Sequence, residues 1–224
     1  MTNPEVASVF GKIDSTFRVL SLALDMMASH HGGQKDMGLR NVLILGRSVT
    51  FILQNLRGKV EDFERFYEPI ESRLRQSELM GFFKDARNHL EKRGDVPRSV
   101  MVKIDRLDPM SFEKLTHSRP PDATRYFIGD ALGGSGWEIP SPDGDYIKLY
   151  VELPETVGSV QVMSGGELLD KYPSIKGREL HELAQEYVDN LRDIVHEARK
   201  CFLGDDQYQQ KPSVKGRSHL RVIK

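Results

Sequence analysis

Val6, Phe10, Ile13, Phe17, Leu20, Leu24 and Met27 recur at alternating spacings of four and three. That rhythm winds one apolar stripe along a helix of about six turns, and a stripe so long needs a partner helix. A second helix is predicted from about Asp36 to Arg57, carrying Leu39, Val42, Leu43, Leu45, Val49, Ile52, Leu53 and Leu56. His30-His31-Gly32-Gly33 would connect the two, with Asp36 as the N-cap. A third, around Val60 to Arg75, presents Phe63, Phe66, Tyr67, Ile70 and Leu74, and Pro69 is expected to kink or split it. The fourth spans about Glu78 to Arg93 and stops at Gly94, with Pro97 beyond. Four helices with short connections predict an antiparallel bundle.

Beyond Pro97 the apolar period changes from helical to alternating. Val100, Val102 and Ile104 read as one strand, Tyr126 to Ile128 as a second, Tyr146 to Leu153 as a third, and Val160 to Val162 as a fourth. Gly133-Gly134-Ser135-Gly136-Trp137 lies between the second and third, and Asp143-Gly144 is a hairpin signal. A last helix, about Lys176 to Phe202, carries Leu180, Leu183, Ala184, Tyr187, Leu191, Ile194, Val195 and Ala198 on one face. It is expected to return onto the bundle. The predicted fold class is therefore mainly α with a small β insertion (α+β). Residues 1–96 form the bundle, 97–175 the insertion, 176–203 the C-terminal helix and 204–224 a basic, flexible tail. Lys211, Lys215, Arg217, Arg221 and Lys224 meet no acidic residue after Asp206. They suggest either a solvated terminus or an arm that contacts phosphates or a neighbouring subunit.

Charge narrows the classes of partner. Thirty-two Lys+Arg against 33 Asp+Glu leave a net charge of -1, so any nucleic-acid binding must come from a local patch. The single cysteine, Cys201, excludes an internal disulfide framework and reads as a buried or idle thiol. The start, Met1-Thr2-Asn3-Pro4-Glu5, lacks a signal-peptide pattern, no run approaches the ~20 apolar residues of a membrane span, and a cytoplasmic location is expected. His30-His31, His89, His117, His181 and His196 show no metal-ligand spacing, so neither metal nor cofactor is expected. The glycine-rich loop runs into Trp137, Pro140 and Pro142 rather than into a helix, which makes it a turn rather than a phosphate cradle.

The chemistry gathers near the end of the fourth helix, in Phe82-Phe83-Lys84-Asp85-Ala86-Arg87-Asn88-His89-Leu90-Glu91-Lys92-Arg93-Gly94. A helical bundle whose late helix ends in Arg-Asn, followed by basic groups, resembles the HEPN superfamily. The resemblance implies a homodimer in which Arg87, Asn88 and His89 form a metal-independent ribonuclease site. An imidazole would move protons there and a guanidinium would hold developing negative charge. Lys92, however, stands where that family has its histidine. His89 lies about 200° around the helix from Arg87, so the two diverge within one subunit.

A second reading is non-catalytic RNA or nucleotide binding through Arg47, Arg87, Lys92 and Arg93. Arg47 is included because a charge inside the apolar second helix must find solvent, a carboxylate or the groove beside Arg87. A third is a structural homo-oligomer in which Arg87 pairs with Glu91 and the basic cluster only complements the helix dipole. The whole chain also resembles a group of uncharacterised bacterial proteins, through Gly46 to Gln54, Phe63 to Tyr67, Phe83 to Gly94 and Gly133 to Trp137. That likeness implies one continuous architecture and no particular activity.

Overall fold

The computed structural model describes residues 3–117 and 119–204. Helix α1 spans Pro4–Met27, with Pro4 at its first turn and the Asn3 side chain accepting from the Glu5 N–H. Helix α2 spans Gly32–Gln54 and begins earlier than predicted. Its N-cap is His31, whose Nδ1 accepts from the Gly33 and Gln34 amides at 3.1 and 3.4 Å. Asp36 is therefore inside the helix, bonded to Arg40 and Arg98 rather than capping. Helix α3, Phe63–Gln76, runs unbroken through Pro69, and the predicted split does not occur. Helix α4, Glu78–Arg93, starts at Ser77, whose hydroxyl accepts from the Met80 N–H, and ends at Gly94 with φ 78°. That left-handed residue is where glycine carries no Cβ penalty.

The second half alternates short elements: β1 Arg98–Ile104, α5 Pro109–Thr116, β2 Arg125–Phe127, β3 Gly136–Pro140, β4 Tyr146–Tyr150 and β5 Gly158–Ser164. Two short 3-10 turns, Glu167–Asp170 and Pro173–Ile175, then lead to α6, Leu180–Leu203. Strands β2, β3 and β4 form one antiparallel sheet, and β1 pairs antiparallel with β5 from Arg98 opposite Ser164 to Ile104 opposite Gly158. Among the described residues, six helices with these strands make the protein mainly α with a small β part, the α+β class. Two elements go beyond the apolar pattern. Asp108 and Pro109 start α5 as N-cap and first residue, and β3 occupies a stretch that reads as turn. Cys201 is exposed rather than buried. The predicted basic tail lies outside the described residues, Gly204 apart.

One core joins α1, α2, α3, α4 and α6. Phe10, Ile13 and Leu20 of α1, Leu43 and Leu53 of α2, Phe82 and Phe83 of α4, and Leu183 and Leu191 of α6 are fully buried. Where α2, α4 and α6 meet, the Tyr187 ring stacks on Phe83, with centroids 4.2 Å apart and planes 2° apart. The hydroxyl end of the ring lies against Gly46, where a Cβ would sit inside the ring's van der Waals envelope.

Carboxylates tie the strands to the helices. Asp36 of α2 holds Arg98 of β1 at 2.5 Å, and Asp85 of α4 accepts from Lys171 and, at 2.7 Å, from the Tyr172 hydroxyl. Asp130 accepts from the amides of Leu132 and Gly134 at 3.0 Å, from Lys148 at 2.9 Å and from the Tyr150 hydroxyl at 2.7 Å. Tyr150 in turn packs on His31 at the start of α2, with centroids 4.2 Å apart. Burial opposes ionisation of all three aspartates and is the largest single influence, yet their donors together outweigh it. Each pKa ends below the ordinary 3.8. A depressed folded-state pKa gives stability that is fully present above the unfolded value and lost as pH falls through the folded one.

Gly46→Ala should destabilise by about 1–3 kcal/mol in chemical denaturation, because overpacking a buried ring outweighs the gain in helix propensity. Gly11→Ala, in α1 with nothing within 4 Å of the new Cβ, should instead stabilise by up to about 1 kcal/mol. A neutral Gly46→Ala would contradict the Tyr187 packing. Asp130→Asn should cost about 1–3 kcal/mol at pH 7, and the gap from wild type should narrow below pH 4 as the native carboxylate protonates. A gap that persists unchanged at pH 2 would contradict that role for Asp130.

Candidate functional site

Helix α4 divides the predicted cluster between two surfaces, because successive residues advance by about 100°. Asp85, His89 and Arg93 face the strand-bearing half. His89 is largely buried, with Nε2 3.0 Å from Asp95 and Nδ1 3.6 Å from Glu167. Glu167 also pairs with Arg93 at 3.1 Å. Both imidazole nitrogens thus face carboxylates, and the three groups form a clip between the end of α4 and the first 3-10 turn. Lys92 is exposed beside this surface and makes no ion pair among the described residues.

Lys84 and Arg87 take the other side, with Phe83. Arg87 pairs with Glu91 at 2.7 Å, as the i,i+4 spacing predicts, and its Nη1 lies 3.4 Å from Asn88 Oδ1. Its Nε is buried with no acceptor among the described residues. A buried donor left unmatched costs about 1–3 kcal/mol, so the arrangement is one that an incoming acceptor would relieve. Asn88 is thereby a neighbour of Arg87, while His89 turns away from both.

Arg47 of α2 comes to the same side. It is half-buried, its guanidinium lies 4.4 Å from the Phe51 ring centroid, and Nη1 is 3.4 Å from Thr50 Oγ1. Among the described residues it has no carboxylate partner. Arg47 and Arg87 both lie close enough to Tyr187 to favour its ionised form, although burial dominates and pushes the phenol's pKa upward. Tyr187 therefore stays a neutral hydroxyl at physiological pH. The sequence pattern allows Arg47 to join Arg87, but it does not single out Tyr187, which reads as one more apolar position on α6. A glycine in the middle of apolar α2 is the available signal, since it marks a close approach.

Between α2, α3, α4 and α6, Arg47, Phe83, Lys84 and Tyr187 border a cleft of about 460 Å³, and Arg87 lies behind Tyr187 rather than on its lining. Arg47, Arg75 and Lys84 give it cations, and its carboxylate, Glu71, pairs with Arg75 at 2.8 Å. Lys84 reaches a carboxylate only loosely, Asp85 at 3.5 Å, and Asp85 is already held by Lys171 and Tyr172. The cleft thus carries uncompensated positive charge. Near His89 and Arg93 the surface is a shallower hollow, already neutralised by Asp95 and Glu167. A much smaller void, about 20 Å³ beside Lys35 and Glu179, has room for about one water molecule. No group of three or more His, Cys, Asp or Glu able to hold a metal occurs among the described residues. Nor does any described helix have the length and apolarity to cross a membrane.

Over residues 36–119, less than half of the chain, the protein is similar to a family described as bacteriophage lambda protein ea47. That stretch holds Arg47, Lys84, Arg87 and His89 but not Tyr187. No curated protein and no solved structure matched the chain.

Proposed function

We propose that the protein is a non-catalytic RNA- or nucleotide-binding module whose ligand lies in the cationic cleft between α2, α3, α4 and α6. The observation that carries this reading is Arg47, which lines the cleft with no carboxylate partner among the described residues, while Arg87 approaches the same Tyr187 phenol and its buried Nε has no acceptor among the described residues. Guanidinium groups match phosphate geometry and hold it through charge-assisted bonds. Arg93 is neutralised by Glu167 and contributes less, and Lys92 adds to the general field around the end of α4. The stretch similar to the phage protein family contains both arginines.

A metal-independent ribonuclease of a toxin or phage-defence type is the alternative for the same residues. It requires a second copy, because Arg87 and His89 emerge on different sides of α4 and a partner's histidine would have to reach Arg87. A homodimer is also favoured by the outer face of α2. Met37, Ile44 and Phe51, seven residues apart, are exposed by 55%, 47% and 48% and recur along one side of the helix.

Fluorescence anisotropy with single-stranded RNA tests the main reading. Affinity should fall steeply with salt, and Arg47→Ala and Arg87→Ala should each weaken binding about five- to tenfold at low salt. RNA that binds both variants as tightly as wild type contradicts it. RNA cleaved in the presence of a chelator, with activity lost in Arg87→Ala and in His89→Ala, would establish the ribonuclease instead.

A further inference from the structure

We infer that the cleft is a pocket for a single unstacked nucleobase, with the attached phosphate on Arg47 and Lys84 and the base edge read by Gln54. This deepens the nucleotide-binding reading and rests on it. At about 460 Å³ the cleft falls within the size range of pockets that enclose small ligands, and it is too confined to admit a paired base within a duplex. Its composition is mixed. Arg47, Arg75 and Lys84 supply cations, Leu74 of α3 and Met80 of α4 supply apolar surface, and the almost wholly buried Tyr67, Phe83 and Tyr187 complete the lining. A phosphate alone needs no such lining. A base does, because apolar walls cover part of the surface it exposes on leaving the strand.

Gln54, the last residue of α2, sits among these groups, and its Nε2 donates to the Tyr67 hydroxyl at 3.0 Å. That bond fixes the amide and leaves its oxygen and second N–H as an adjacent acceptor and donor. Such a pair can match the edge of a base in two directions at once. Gln54 is therefore the specificity-determining residue and Arg47 the phosphate anchor. The ligand class is a nucleoside monophosphate unit, either free or as one residue of single-stranded RNA.

Calorimetry on the full chain, with AMP, GMP, CMP and UMP beside ribose 5-phosphate and inorganic phosphate, tests the inference. At least one nucleotide should bind about tenfold or more tighter than ribose 5-phosphate. Leu74→Trp, which fills the cleft from α3, should remove that advantage and leave the weak, salt-dependent ribose 5-phosphate binding in place. Gln54→Leu should compress the ranking among the four bases, and it decides the matter if Leu74→Trp does not fold. Single-stranded RNA carrying abasic sites separates the two sources: tight binding of free nucleotides places the site on a mononucleotide, whereas tight binding of base-bearing RNA alone places it on a strand. Ribose 5-phosphate and abasic RNA binding as tightly as their base-bearing counterparts, with Arg47→Ala still weakening them, overturns the base pocket and spares phosphate binding. No binding by any phosphate-bearing probe overturns both.

Discussion

The Tyr187 ring has to fit between two helices, and most of the structure is arranged around that requirement. Gly46 lets α2 approach the hydroxyl end of the ring, and Phe83 of α4 stacks on its face. A tyrosine 5% exposed carries a large apolar surface and a polar end that must be accommodated at the margin of the core. Because the three helices are fixed at this point, Arg47 of α2 and Arg87 of α4 are brought to the same phenol. Two like charges held near each other over a low-dielectric core repel more strongly than in water. Glu91 offsets Arg87, so Arg47 is the one of the two without a carboxylate among the described residues, and an anion in the cleft would supply its counter-charge.

The rest of α4 explains why the cluster near its end is not one surface. A helix presents adjacent residues in directions about 100° apart, so Arg87 and His89 are separated however close they are in sequence. The strand-bearing half then captures one side through Asp85, His89 and Arg93. The cleft keeps the other. Docking of the strands is electrostatic as much as apolar, since Asp36, Asp85 and Asp130 each hold two or more donors. Such contacts weaken the fold when one partner is lost more than they strengthen it when intact.

Much of the helical architecture is legible in the sequence because it follows from periodicity. The stripes of α1, α4 and α6 predict both their existence and their buried residues, such as Ile13, Phe83 and Leu191. Ser77 and Gly94 mark the ends of α4 with ordinary capping chemistry. Local rules fail where tertiary contacts decide. Asp36 has the composition of a cap but is drawn into the helix by Arg98, 62 residues away. Pro69 sits in a helix whose other face is held by Phe63, Tyr67 and Ile70, and that packing outweighs the missing N–H. Strand β3 is short and bounded by Gly136 and Pro140, so only its pairing with β2 and β4 defines it. In the site, Arg87 with Glu91 is readable from i,i+4 spacing, but the Glu167 that engages His89 lies 78 residues further along the chain. Tyr187 lies 100 residues beyond Arg87, and no local pattern connects them.

Photocrosslinking of a 4-thiouridine-substituted single-stranded RNA, followed by peptide mapping, tests where the ligand lies more directly than any loss of affinity. The cleft account predicts crosslinks on the peptides that carry Arg47 to Gln54 and Tyr187. Crosslinks confined to the surface around His89, Arg93 and Glu167 would contradict it.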